Sequence, residues 1–398
     1  MKKFMSLLIA VCILLGTFSV VAFAEEKIVL NVYNWGEYIE QSTIDMFEEK
    51  YPYIDVNYTT FDSNESMYSK IVSGAASYDI VIPSEYMVSK LIQEDMLAEL
   101  DFSNIPNYKY IGEAYKNLAS DPENKYSVPY FWGTVVVIYN SQHVAEEDVK
   151  DESLELLWNE KYAGKILMFD NPRDSFGISL TRLGYSMNSD NEKEWQEAAK
   201  ALSEQKPIVQ AYVMDAIFDK MESGEAWIAP YYAGDALVIQ ESNPDIKFYI
   251  AKEGTNLFVD SMCILKTTEH KKEAELFINF MCEPEIGAMN ADTVGYATPN
   301  TEAQKLLDSE ITGNSLVYPD EEYLKHNTEV FINLPQKTQM LQSTLWTDLK
   351  IISAEEGSEV SAIDWIDAFC ITVIVAGGIS AVYFFIRNTR RKKLWKEK

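Results

Sequence analysis

From Ile28 to Tyr33 apolar and polar positions alternate as in a strand with one covered face. After a turn at Asn34 to Glu40, Ile44, Met46 and Phe47 begin a helical spacing. The unit recurs. Asp79-Ile80-Val81-Ile82 stops at Pro83-Ser84-Glu85-Tyr86, and Lys165 to Phe169 stops at Asp170-Asn171-Pro172-Arg173-Asp174, with a helical stretch from Ile178 to Leu183. Short apolar strands alternating with helices predict an α/β fold with largely parallel sheets. No internal repeat or low-complexity block breaks the pattern.

Two apolar runs stand apart from it. Phe4 to Leu15 follows Lys2 and Lys3 and precedes the small-x-small sequence Ala22-Phe23-Ala24, so residues 1–24 are expected to be an export signal. Ala368 to Ile386 carries no charge and is long enough for a bilayer, which takes about 17 to 25 residues. Arg387, Arg390, Arg391, Lys392, Lys393, Lys396 and Lys398 follow it, and basic flanks stay cytoplasmic. The prediction is a single-pass transmembrane helix over 368–386 with a cytoplasmic tail at 387–398 and a linker at 353–367. The exported stretch between signal and span is long enough for two lobes rather than one core.

The formal net charge of the 398 residues is −28. Setting aside the two terminal segments removes nine basic residues and one acidic residue, which leaves −36 on 25–367. Such a surface repels nucleic acid and anionic headgroups and attracts cations, which excludes DNA or RNA binding as the main role. Cysteine is sparse: Cys12 in the signal, Cys370 in the span, and Cys263 and Cys282 between, either as one bridge or as two buried thiols. Val11 precedes Cys12 where a lipoprotein cleavage site has a small residue, so lipid attachment is not expected. His143, His270 and His326 sit in polar surroundings, and neither zinc-protease, hydrolase-elbow, P-loop nor calcium-loop motifs occur. No cofactor or metal is expected.

The residues of chemical interest fall just past predicted strand ends: Trp35, Glu37 and Tyr38; Ser84 and Tyr86; Asp170 and Asp174; Tyr231, Tyr232 and Asp235; Phe258 and Asp260. That edge of an open α/β sheet is where ligands bind. Aromatic faces with several carboxylates and no basic cluster suit an elongated organic cation, whose methylenes and ammonium groups the rings hold and whose N–H groups the acids accept. Other readings of the same residues are a glycoside hydrolase with Asp170 and Asp174 as its pair, or a receptor for a sugar, an organic anion or ferric iron. Turnover, and the class of ligand bound, separate them.

Several segments in order carry a resemblance over roughly Lys27 to Lys350: Tyr33-Asn34-Trp35 with Glu37-Tyr38, Ser63-Asn64-Glu65 with Met67-Tyr68, Val81-Ile82-Pro83-Ser84, Pro129-Tyr130-Phe131-Trp132-Gly133-Thr134, Leu183-Gly184-Tyr185-Ser186, Lys252-Glu253-Gly254, Asp260-Ser261, and Gly295-Tyr296 with Thr298-Pro299-Asn300. Together they resemble the polyamine-binding proteins of spermidine/putrescine ABC transporters. The resemblance implies a two-lobed, periplasmic-binding-protein-like, monomeric and non-enzymatic receptor outside the cytoplasm. Its lobes would be 25–134 with 258–301 and 135–257 with 302–352, joined by hinge crossings. Its partners would be a polyamine, an ABC permease with its ATPase, and the membrane through the C-terminal helix. Trp35 and Tyr38 match the first rings, with Glu37 beside them, and Tyr86 the third, next to Ser84. The two recognition acids fall at Asn171 and Asp174, so one charge is lost, for which Asp170 is the replacement candidate. Two tryptophans of the family fall at Tyr232 and Phe258, and an acid at Asp260. A family glutamine falls near Val330 to Ile332, where no residue is assigned.

Overall fold

The computed structural model describes residues 27–356. The expected signal (1–24), transmembrane helix (368–386) and basic tail (387–398) lie outside the described residues, as does most of the linker. Among the described residues no helix is long and apolar enough to cross a membrane.

Ten strands are present among the described residues: β1 (Ile28–Trp35), β2 (Ile54–Phe61), β3 (Ile80–Val81), β4 (Ser127–Asn140), β5 (Ile166–Phe169), β6 (Val209–Val213), β7 (Ile228–Tyr232), β8 (Ile246–Tyr249), β9 (Thr255–Ile264) and β10 (Thr328–Glu329). They pair in the order β2-β1-β3-β9-β4-β7-β5-β6, with β8 on β4 and β10 on β9. The expected largely parallel sheet is corrected to a mixed one. β1 with β2 and β3, β5 with β6 and β7, and β10 with β9 run parallel, as strand–helix–strand units dictate. Every antiparallel pair involves β4 or β9. These two long strands meet by long-range pairing, which leaves no mark on local periodicity.

β4 also changes partners along its length. Ser127 to Thr134 pair with β9, whereas Val135 to Asn140 pair with β7 and β8. All but one of its residues are buried, as suits a strand covered on both faces. Around β1 the core gathers Leu30, Val32, Phe47, Ile54, Phe277 and Ile278, all at most 1% exposed. Around β5 and β7 lie Leu157, Ile166, Leu167, Phe169 and Ile228, likewise sealed. Cys263 and Cys282 are both free and buried.

Residues 27–188 and 207–333 form one compact unit. A second holds 189–206 with the described residues from 334 on. Its helices Glu192–Gln205 and Gln336–Glu356 pack together, with Trp195, Ala198 and Leu202 buried on one face. The last helix runs to Glu356, so the first four residues of the expected linker, Ser353 to Glu356, are helical.

Candidate functional site

Three strand-to-helix junctions place the polar side chains. After β3, Ser84 stands in extended conformation before helix Glu85–Gln93, and its Oγ and N–H exchange hydrogen bonds with the Asn64 carboxamide at 3.1 and 3.2 Å. After β5, Asn171 caps helix Pro172–Arg182, its Oδ1 accepting from the N–H groups of Arg173 (2.8 Å) and Asp174 (3.4 Å). After β7, Tyr232 precedes helix Ala233–Ser242. Asp174 and Asp235 thus both occupy a first helical turn, where the helix dipole favours negative charge.

These junctions, the Trp35 to Tyr38 turn and β9 line one cleft with an empty volume of about 670 Å³, open to solvent. Eleven of the twelve residues expected from sequence line it: Trp35, Glu37, Tyr38, Ser84, Tyr86, Asn171, Asp174, Tyr232, Asp235, Phe258 and Asp260. Asp170 does not. It lies at the end of β5, one residue from Asn171, and is exposed. Asn171 is buried, and its oxygen serves the helix behind it.

Six carboxylates line the cleft in two tiers. Glu37, Asp62 and Asp215 are exposed at the rim, and Asp174, Asp235 and Asp260 are 6, 8 and 4% exposed inside it. Each inner acid takes one tyrosine hydroxyl. Tyr38 donates to Asp260 Oδ2 at 2.6 Å, Tyr232 to Asp174 Oδ2 at 3.1 Å, and Tyr296 to Asp235 Oδ2 at 2.8 Å. Tyr86 makes the same contact with Glu65 behind the wall, at 2.9 Å. The rings of these tyrosines continue one another: Tyr38 to Tyr296 at 4.9 Å, Tyr296 to Phe258 at 5.9 Å, and Phe258 to Tyr232 at 5.3 Å. An aromatic surface therefore runs from Asp260 to Asp174. It packs on bare backbone: a Cβ at Gly234 would stand 2.1 Å from the Tyr296 ring, and one at Gly133 2.8 Å from Phe258.

One hydroxyl does not satisfy a buried carboxylate. Asp260 Oδ1 has no partner among the described residues, and a buried acceptor left unpaired costs about 1 to 3 kcal/mol. Burial pushes the Asp260 carboxyl up to about 6, against hydrogen bonds from Tyr38 and the Ser84 side chain, and Asp174 up to about 7, against that of Tyr232. Burial also raises Asp235 well above its ordinary value, and Glu85, behind the wall, reaches about 8 for the same reason. Behind the cleft wall lies Arg173, buried, with its guanidinium 4.1 Å above the Phe331 ring and donating to Met187 O and Asn188 Oδ1. Burial lowers it to about 10. Among the described residues it hydrogen-bonds no acid of the cleft, although its charge favours the ionised form of Asp174.

Sequence reasoning missed Asp62, Asp215, Asn256, Tyr296 and Phe331. Tyr296 lay within a matching segment and Phe331 within Val330 to Ile332, where nothing was assigned. Asp215 follows β6 in a loop without a distinguishing pattern. A carboxylate-rich, ring-lined cleft beside the mixed sheet that β4 and β9 organise defines the class: a solute receptor with a mixed α/β fold.

Comparison with known proteins places it more narrowly. Residues 76–327 match the family described as bacterial extracellular solute-binding protein, and residues 1–109 match a hypothetical lipoprotein family (MG045 family). The spermidine/putrescine-binding periplasmic protein of Escherichia coli K12 is 34% identical over 306 residues, 77% of this chain and 87% of that protein. The putrescine-binding periplasmic protein SpuD of Pseudomonas aeruginosa is 31% identical over 366 residues, covering 88% and 99%. Among solved structures, the spermidine/putrescine ABC transporter substrate-binding protein PotD of Streptococcus pneumoniae superposes with a TM-score of 0.69 at 38% identity, over 82% of this chain and 99% of that one. The chain belongs to the bacterial extracellular solute-binding proteins, a family of receptors rather than enzymes.

Proposed function

We propose that this chain is the substrate-binding receptor of an ABC importer, capturing spermidine or putrescine outside the cytoplasm and delivering it to a membrane permease with its ATPase. The observation that carries this reading is the set of three buried carboxylates joined by a continuous aromatic surface, one with an unpartnered oxygen and none hydrogen-bonded to a basic side chain among the described residues. Ammonium groups supply the missing charge and donors, and methylenes lie on the rings. A neutral sugar would use the rings and leave three raised carboxyls without purpose, and an anion would be repelled. The polyamine-binding relatives support the same ligand class. A thermal-shift screen against diamines, triamines, sugars and amino acids tests it: stabilisation is expected with the amines, and stabilisation by a sugar alone would overturn it.

The lobes of this reading are 25–134 with 258–301 and 135–257 with 302–352, and the partner change of β4 between Thr134 and Val135 supports a crossing there. Closure over the ligand about such crossings is the hinge motion of two-lobed receptors. The receptor acts as a monomer. The apolar run Ala368 to Ile386 with its basic flank supports a single-pass anchor, C-terminus cytoplasmic, which keeps the receptor near its permease at a raised effective concentration. Full-length protein is therefore expected to sediment with membranes and resist high-salt extraction, whereas a chain ending at Glu356 is released and still binds polyamine. Full-length protein in the soluble fraction would refute the anchor, and loss of binding on truncation would place the tail within the fold.

A further inference from the structure

On β9, Asn256, Phe258 and Asp260 occupy alternate positions and all line the cleft, since residues two apart on a strand share a face. Phe258 contributes a ring and Asp260 an acid, while Asn256 has no assigned task. Asn256 is 4% exposed, and its carboxamide oxygen, sealed from solvent, has no hydrogen-bond partner among the described residues. Such atoms are rare in folded proteins and call for an explanation. Asp260 Oδ1 is the other unpartnered oxygen on this face. Two buried, unpartnered acceptors thus flank one aromatic ring.

Asn256, Asp174 and Phe331 also line a second, mostly apolar chamber with an empty volume of about 370 Å³, whose walls include Val136, Ile178 and Met187. Asn256 therefore stands on the wall between the cleft and this second space, as Asp174 and Phe331 do. Along a strand the step from Asp260 to Phe258 covers about 7 Å and that from Asp260 to Asn256 about 13 Å. A diamine with one four-carbon spacer matches the shorter span. Only a chain with a further aminoalkyl arm matches the longer.

We propose that Asn256 is a further ligand-binding residue, its carboxamide oxygen accepting an N–H of the amine farthest from Asp260, and that it favours a three-nitrogen polyamine over a diamine. The inference rests on the polyamine reading above. Leucine at 256 keeps the volume and matches the apolar chamber while removing the acceptor.

The test is calorimetric titration of the full-length protein in detergent and of its Asn256→Leu variant with spermidine and putrescine at pH 8. Spermidine affinity is expected to fall about tenfold or more, the worth of a hydrogen bond from a charged donor. Putrescine affinity is expected to stay within about threefold, since that ligand gains little from the acceptor. The melting temperature of the ligand-free variant is expected not to drop, because the oxygen removed makes no hydrogen bond among the described residues. Asn256→Ala, which removes the carboxamide without filling the space, is expected to give the same split should the leucine variant not fold. Equal losses for both amines, or none for either, would overturn the assignment. A parent protein that binds neither amine fails the polyamine reading itself, which separates the two claims.

Discussion

Asparagine in place of Asp260 is expected to weaken polyamine binding by about 2 to 5 kcal/mol, because a buried ammonium would lose its charged partner. The substitution keeps shape and leaves an oxygen to accept the Tyr38 hydroxyl, so the walls of the cleft stay in place. What disappears is the negative charge beside the open Oδ1 position. Asp174→Asn is expected to act likewise at the other end of the aromatic surface, where Tyr232 keeps its acceptor. Both variants should be at least as stable as the parent without ligand, because each removes a buried charge that burial disfavours. Titration calorimetry and thermal melts read the two effects separately. Affinity within about twofold of the parent in both variants would move the binding site elsewhere.

The second large effect is on pH. Asp174 and Asp260 carry pKa values of about 7 and about 6 in the empty cleft, above the ordinary value of 3.8. Both shifts are upward, so the folded, empty protein holds these protons more tightly than the unfolded chain. The resulting stabilisation is complete below about pH 4 and is lost as pH rises through about 6 to 7. Bound ammonium reverses the balance, since it favours the ionised acids. Polyamine affinity is therefore expected to rise between pH 5 and pH 8, by up to about tenfold per pH unit for each acid that must ionise. Binding near pH 6.5 is expected to release protons, visible as heats that differ between buffers of different ionisation enthalpy. Glu65 and Asp260 near Asp174 oppose its ionisation and Arg173 assists it, so Arg173→Met should move the Asp174 transition upward. Heats and affinities that ignore pH and buffer would mean that the acids are already ionised in the empty cleft.

The parts of the site legible in the sequence are those carried by local pattern. The apolar runs read as ending at Tyr33, Ile82 and Phe169 lie within two residues of the strand ends Trp35, Val81 and Phe169, and residues just beyond them reach the cleft. Asp170 stands outside the cleft lining, one position before Asn171. Phe169 is buried, the chain turns into an extended Asn171 that must cap the next helix, and the intervening side chain is left facing solvent. The antiparallel half of the sheet was not legible, because β3, β4 and β9 are joined across more than a hundred residues. Asn256, Tyr296 and Asp215 are placed by that same long-range geometry. Arg173 stood inside a quoted motif, yet its burial over Phe331 depends on residues far along the chain. Nothing in the local sequence distinguishes it from a surface arginine at a helix start.

The most direct measurement is isothermal titration of the full-length protein in detergent at pH 8 with putrescine, spermidine and a neutral hexose. The cleft described above predicts saturable binding of an amine at one site per chain, in the micromolar range or tighter, near −8 kcal/mol, and no heat with the hexose. Absence of heat with either amine, together with saturable binding of the hexose, would contradict it.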